Sequence, residues 1–205
     1  MTGTKLWTFM GGPDSLSYRC FDAIRRRLNR RLCRYLSRQA IERADSRVLE
    51  AGSGPAFTSS LFRSNPRVGL SVALDIDLAA LQEARRRDPN LPVVVGDLYC
   101  LPFIDGVFDL VWSSSTLEHL ERPQVVLAEM KRVAKPQGKL FVGVPYKYGP
   151  LGFQRWISTT RIGVWLGPVF DRRGLRIMMA QLGLSPEECV LYFFRFFVGI
   201  LAQKR

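Results

Sequence analysis

A chain of 205 residues, 47% hydrophobic and 23% charged, fits one ordinary domain with apolar material for a full core. That excludes a disordered tail and a miniprotein dependent on disulfides. A formal net charge of +12 favours acidic partners, whether nucleic acid, an anionic membrane surface, or a phosphorylated or carboxylated substrate.

The first ten residues hold no apolar core flanked by small residues, so they do not read as a signal peptide. From Leu16 to about Asp45, Phe21, Ile24, Leu28, Leu32, Leu36 and Ile41 recur every three to five positions, the pattern of one helical face. Arg25, Arg26, Arg27, Arg30, Arg31, Arg34 and Arg38 crowd the other face, which makes the helix basic and amphipathic. A short buried strand over 47–50 runs into Gly52-Ser53-Gly54, and a helix follows from about Ala56. Strands over 72–75, 92–95 and 108–112, helices over 78–87 and 125–134, a turn at 135–138 and a strand over 139–144 complete the middle. This alternation predicts βαβ units and a parallel sheet. After Lys147 a stretch rich in Gly, Trp and Phe (149–170) precedes a helix over 173–182, with Gly183 as its C-cap. Runs at 190–194 and 197–202 lie close enough for an antiparallel hairpin. The most apolar stretch, 191–201, is too short to span a bilayer and carries Arg195 in its middle. The whole reads as one domain over 1–205: a basic N-terminal helix or cap over 1–45, a core over 46–146, and a substrate-lid segment with terminal strands over 147–205.

Cys20, Cys33, Cys100 and Cys189 form no CxxC pair, which argues against a zinc site or a disulfide framework. They read as reduced and buried, as suits a cytoplasmic protein, with no metal expected.

The chemistry concentrates at three strand ends. In 48–54 a strand runs into Gly-x-Gly, where missing side chains let a ligand approach the backbone. A dinucleotide fingerprint needs a third glycine where Phe57 stands, so a pyrophosphate cradle is disfavoured. Glu50, two residues before Gly52, would repel a pyrophosphate and suits a cationic amine. Asp75 ends the second strand at a spacing of roughly 20 residues, that of a ribose-binding acid. Asp77 fits the plainer role of N-cap to the next helix. Asp97, after the third strand, can accept from an exocyclic amine such as that of adenine, or serve as an ordinary loop residue.

Together these motifs resemble the class I S-adenosylmethionine (SAM)-dependent methyltransferases, in particular their small-molecule, type 11-like branch. The resemblance rests on 48–54, on Ala73-Leu74-Asp75-Ile76-Asp77, on 95–103, on 108–112 and on 127–138, five matches in order over the middle half of the chain. It implies a Rossmann-like three-layer α/β sandwich. The sheet would be mostly parallel and seven-stranded, with an antiparallel strand at the C-terminal end. SAM would be the cofactor and S-adenosylhomocysteine the product. By position, Glu50 would orient the methionine amine, with Gly52, Ser53 and Gly54 beside the methionine portion. Asp75 would bind the ribose hydroxyls, Ile76 would pack on adenine, Asp97 and Leu98 would fix the adenine edge, and Ser113 would lie near the methionine. Two departures are mild: Pro55-Ala56 follows the first motif, where Pro55 suits a first helical position, and Gln137 replaces a glycine.

Methyl transfer from a sulfonium is an in-line displacement, in which positioning alone can supply roughly 7–11 kcal/mol. His119, the only histidine, follows the fourth strand and suits proton removal near neutral pH; local packing is its plainer role. Glu118 and Tyr146 are weaker candidates, and Tyr18 would cover the methionine end. Ser113-Ser114-Ser115 stands where amino-directed enzymes carry Asn/Asp-Pro-Pro-Tyr, which disfavours exocyclic base amines. Cys100 lies in the adenine loop, away from a nucleophile's position. The expected acceptor is small or lipophilic and methylated at O, N or C, with 149–170 as part of a lid whose Trp156, Trp165 and Phe170 favour an apolar molecule. Three alternatives remain: a non-catalytic SAM-binding scaffold, an RNA-directed methyltransferase on account of charge, and an NAD or nucleotide-sugar enzyme. The basic helix is expected to cap the SAM cleft with its arginines in water. It could instead contact an anionic membrane, with Trp7, Phe9 and Trp156 at the interface. Nucleic acid ranks last, for want of a recognised module.

Overall fold

The computed structural model describes residues 16–150 and 169–205, except the side chains of 17–22 and 25. The expectations for Trp7, Phe9, Tyr18, Cys20, Phe21, Arg25, Trp156 and Trp165, and for most of the lid, lie outside this description.

Helix α1 (Leu16–Ala40) leads into β1 (Ser46–Ala51), α2 (Phe57–Arg63), β2 (Val68–Asp75), α3 (Leu78–Arg87), β3 (Val93–Val95) and β4 (Phe108–Ser114). A 3-10 turn at Leu117–His119 follows, then α4 (Pro123–Val133), β5 (Ala134–Pro145), α5 (Arg172–Gln181), β6 (Leu184–Tyr192) and β7 (Phe197–Lys204). The strands form one sheet in the order β3-β2-β1-β4-β5-β7-β6. The first five pair in parallel, and β7 lies antiparallel between β5 and β6. This is the expected Rossmann-like sheet. Its strand order reverses between β1 and β4, and ligands of such sheets bind in the crevice beyond the strand ends at that point.

The two faces follow from alternation along the central strands. Leu49, Val111, Leu140 and Val142 point to one face, where Val126, Leu127, Met130 and Val133 of α4 and Leu175 and Met179 of α5 cover them. Val48, Leu110, Trp112 and Phe141 point to the other, under Leu32, Cys33 and Leu36 of α1 and Phe62 of α2. Full burial of a side chain such as Leu36 stabilises by about 1.5–3 kcal/mol. The Phe62 and Trp112 rings, 5.9 Å apart, contribute about 1 kcal/mol more.

Several expectations are corrected. Helix α1 ends at Ala40, and Leu32, Cys33 and Leu36 of its apolar stripe pack on the sheet. The stripe is buried only where sheet lies beneath it, so Ile24 remains 53% exposed. Pro55 is not helical. Ala56 holds a left-handed conformation (φ 52°) as N-cap and α2 starts at Phe57. The turn at 135–138 lies inside β5 as a register shift between Ala134 and Lys139, with Gln137 at φ 63°. Strand β6 starts at Leu184, although Pro186, Glu187 and Glu188 read poorly as strand; at a sheet edge such residues are tolerated. Of the cysteines, only Cys33 is buried among the described side chains, and burial pushes its thiol up to about 12. Cys100 sits in a surface loop and Cys189 on the edge strand, both exposed.

Candidate functional site

The ends of β1, β2, β3 and β4 converge on the crevice. Strand β1 leaves through Gly52 (φ 77°) and Gly54 (φ 50°), a conformation that favours glycine. The backbone N–H groups of Gly52 and Ser53 both donate to the Leu74 carbonyl at 2.9 Å, which ties the turn to β2. A Cβ on Gly52 would come within 2.7 Å of Thr116 Oγ1, whereas one on Gly54 would meet nothing within 4 Å. Gly52 is therefore required by packing, and Gly54 leaves open backbone at the crevice.

Asp75 closes the turn. Its Oδ2 accepts from the Gly54 N–H at 2.6 Å and its Oδ1 from the Asp77 N–H at 2.9 Å. A carboxylate has about four acceptor positions, so two remain for a diol. Ile76 beside it is 72% exposed, an apolar platform next to the acid. Asp77 caps α3 as expected, accepting from Ala79 and Ala80.

Glu50 is buried, and its Oε2 accepts from both the Ser59 backbone N–H (2.9 Å) and the Ser59 hydroxyl. It pins the first turn of α2 to β1 and sets a carboxyl group under the glycine turn. Asp97 is exposed and accepts from the Tyr99 N–H at 2.9 Å, shaping the loop after β3. Leu98 is buried beneath it. The loop is held from below. Glu129 accepts from the Leu101 N–H, and Arg132 donates to the Leu101 and Phe103 carbonyls. Hydrogen bonding to Arg132 holds the Glu129 carboxyl below its ordinary range.

At the end of β4, Ser113 is fully enclosed, with a hydroxyl that has no partner among the described residues. The residues that reach the crevice are Ser115, left-handed at φ 61°, and Thr116, whose hydroxyl donates to the Gly52 carbonyl at 3.2 Å. Glu118 is 3% exposed, and its Oε2 also lacks a partner. Burial pushes its carboxyl up to about 7, and hydrogen bonds from its own backbone and Ser115 only partly oppose this. His119 is an exposed residue, yet crowding desolvates its ring enough to lower its pKa, so the imidazole is neutral at pH 7. Tyr146 belongs to the core, with the Arg172 guanidinium 5.4 Å from its ring centre.

Three contributors were missed from sequence: Thr116, Ser59 and Tyr192. The Tyr192 and Ser114 hydroxyls share a hydrogen bond of 2.7 Å. Tyr192 lies across Gly143 of β5, where an added methyl group would strike its hydroxyl, and a methyl group on Gly199 of β7 would strike the Phe141 ring. Glycines inside paired strands were the available signal. No group of His, Cys, Asp and Glu able to hold a metal occurs among the described residues.

The donor set fits SAM on three observations: spare acceptor positions on Asp75, open backbone at Gly54, and exposed Ile76 beside them. Comparison with known proteins points the same way. Residues 49–142 match the family described as a methyltransferase domain. A demethylmenaquinone methyltransferase of Renibacterium salmoninarum is 41% identical over 97 residues, covering 47% of this chain and 40% of that protein. A malonyl-[acyl-carrier protein] O-methyltransferase of Laribacter hongkongensis is 36% identical over 113 residues, covering 49% of this chain and 37% of that one. The chain thus spans less than half the length of these relatives. Among solved structures, a SAM-dependent methyltransferase from Aquifex aeolicus superposes with a TM-score of 0.67 at 18% identity, covering 84% of this chain and 89% of that one.

Proposed function

We propose that the chain, whose residues 49–142 match a methyltransferase domain, moves a methyl group from SAM to a small or lipophilic acceptor at O, N or C. The observation that carries this reading is the Asp75 carboxylate. It is fixed by Gly54 and Asp77, with acceptor positions to spare, beside exposed Ile76 at the point where the strand order reverses.

SAM, when bound, would supply a sulfonium methyl, which passes to an electron pair of the acceptor as the carbon–sulfur bond breaks. The chain's part is to position and to hold charge. Asp75 would bind the ribose hydroxyls, Ile76 would pack on the adenine, and Asp97 and Leu98 would fix its edge. Glu50 would orient the methionine amine, with Gly52, Ser53 and Gly54 beside the methionine portion. Ser113 lies behind the methionine end. If the acceptor arrives protonated, neutral His119 or buried Glu118 takes the proton. The relatives' names specify demethylmenaquinone and malonyl-[acyl-carrier protein] as what those proteins methylate. A small or lipophilic acceptor is the class we carry over. One domain over 1–205, a cytoplasmic setting and peripheral contact of α1 with anionic membrane complete the reading. Among the described residues no helix is long and apolar enough to cross a membrane.

Calorimetric titration with SAM tests it. The parent should bind, Asp75→Ala should weaken binding at least tenfold, about 1.4 kcal/mol, and Asp77→Ala, which removes only a helix cap, should not. A folded parent that binds no SAM, or equal losses in the two variants, overturns it.

A further inference from the structure

A groove of about 280 Å³ runs between α1 and the β6–β7 hairpin. Its α1 wall is Leu28, Leu32 and Tyr35, and its hairpin wall is Leu191, Tyr192 and Phe194. Every one of these offers carbon to the groove. The Tyr35 hydroxyl is already engaged, donating to Glu188 at 2.6 Å, and that of Tyr192 bonds Ser114. The cation among the lining residues is Arg31, exposed and without a carboxylate partner among the described residues. Phe194 stands 69% exposed at the hairpin tip. The tip is a run of three left-handed residues, Phe193, Phe194 and Arg195, at φ 50°, 55° and 65°. Such backbone is costly for side chains of this size and is retained where the surroundings impose it.

Hydrogen bonds lead from the groove toward the candidate methyl-transfer site. Tyr192 lines it and bonds Ser114 at the end of β4, two residues before Thr116, which bonds the Gly52 carbonyl. Tyr192 fits there because Gly143 beneath its hydroxyl has no side chain. An elongated apolar molecule in the groove would therefore place its inner end against the Tyr192–Ser114 pair. An anionic group at its outer end would meet Arg31, whose planar guanidinium can take a carboxylate with two parallel hydrogen bonds.

We propose that this groove binds the acceptor, and that the acceptor is an anionic amphiphile: an apolar body between α1 and the hairpin, with a carboxylate or comparable anion on Arg31. Resting on the methyltransferase reading, this narrows the acceptor's class. The volume sits near the lower end of ligand pockets, so it suits a single chain or ring system rather than a polymer.

The probe is decanoate, titrated calorimetrically into the full chain below its micelle concentration at physiological salt. Decyltrimethylammonium, with the same chain length and opposite charge, is the comparison. The parent should bind decanoate and prefer it over the cation by about tenfold or more. Arg31→Glu should abolish that preference. Arg34→Glu, the same charge change three residues along the helix and outside this groove, should change affinity by less than about twofold, because exposed charges at that distance are screened. Leu28→Trp, which fills the groove from its half-buried edge, should remove binding of both probes. Equal losses in Arg31→Glu and Arg34→Glu, unchanged binding in Leu28→Trp, or no binding by the parent overturns the proposal. SAM titration of the same variants separates the two readings. Retained SAM binding with decanoate failing sinks the groove alone, and decanoate binding with no SAM binding sinks the methyltransferase reading alone.

Discussion

Glu118 shows what one buried carboxyl does to the molecule. Burial raises its pKa from 4.5 to about 7, so the folded chain binds a proton that the unfolded chain releases. The sign follows from linkage: this stabilisation is fully present below about pH 4.5 and is lost as pH rises through 7. A gap of this size amounts to about 3 kcal/mol. Glu118→Gln keeps the shape and removes the titration. Relative to that variant, the parent should lose about 2–3 kcal/mol of unfolding free energy between pH 5 and pH 8, measured by urea denaturation. Parallel curves for the two proteins would mean that Glu118 is not buried as described. The same residue marks the limit of local reasoning. Gly54, Asp75 and Asp77 act on neighbours that the strand-turn-helix pattern already brings together, so their positions were legible. Glu118 and His119 are adjacent in sequence, and a lone histidine draws attention first. Only the packing shows which of them is enclosed: Glu118 lies inside and His119 at the surface.

At the scale of elements, the parallel core was legible because the ends of β1, β2, β3 and β5 are punctuated by glycine, aspartate or proline and its helices carry apolar residues at helical spacing. The C-terminal edge was not. A strand containing Pro186, Glu187 and Glu188 violates local preference and persists because it pairs with β7 along its length, with Lys139 of β5 held to Glu187 at 2.6 Å. A long-range fit is built there too, between Tyr192 and Gly143. Gly143→Ala would set a methyl group on the Tyr192 hydroxyl, forcing the ring away and breaking its bond to Ser114. Overpacking of this kind costs about 1–3 kcal/mol. In a Tyr192→Ala background the same change should cost less than about 1 kcal/mol, because its clash is gone. Denaturant unfolding of the four proteins in this cycle measures the coupling. Additive losses would show that Tyr192 does not lie over Gly143.

At the scale of the whole molecule, thirty basic residues face eighteen acids, and the excess is not spread evenly. Arg27, Arg31, Arg34 and Arg38 follow an i, i+4, i+7, i+11 line, so they form one ridge along the outer side of α1. None of the four has a carboxylate partner among the described residues. Exposed Ile24 lies one turn before Leu28, on the flank where the apolar groove begins, and exposed Phe194 faces that flank from the hairpin. A basic ridge beside an apolar edge is the pattern of a helix that rests on an anionic bilayer, and it would bring the groove to a surface where amphiphiles collect. Each arginine near such a surface contributes about 1 kcal/mol, so four are sufficient for measurable retention. The chain should sediment with phosphatidylglycerol-containing vesicles at about 50 mM salt, be released near 500 mM as the screening length shrinks, and ignore neutral vesicles throughout. Replacing the four ridge arginines by glutamate should abolish sedimentation and leave SAM binding intact. Retention by that variant would place the contact elsewhere on the basic surface. Tighter binding to RNA than to vesicles, with a steep salt slope, would instead assign the ridge to phosphate backbones and reopen the nucleic-acid reading.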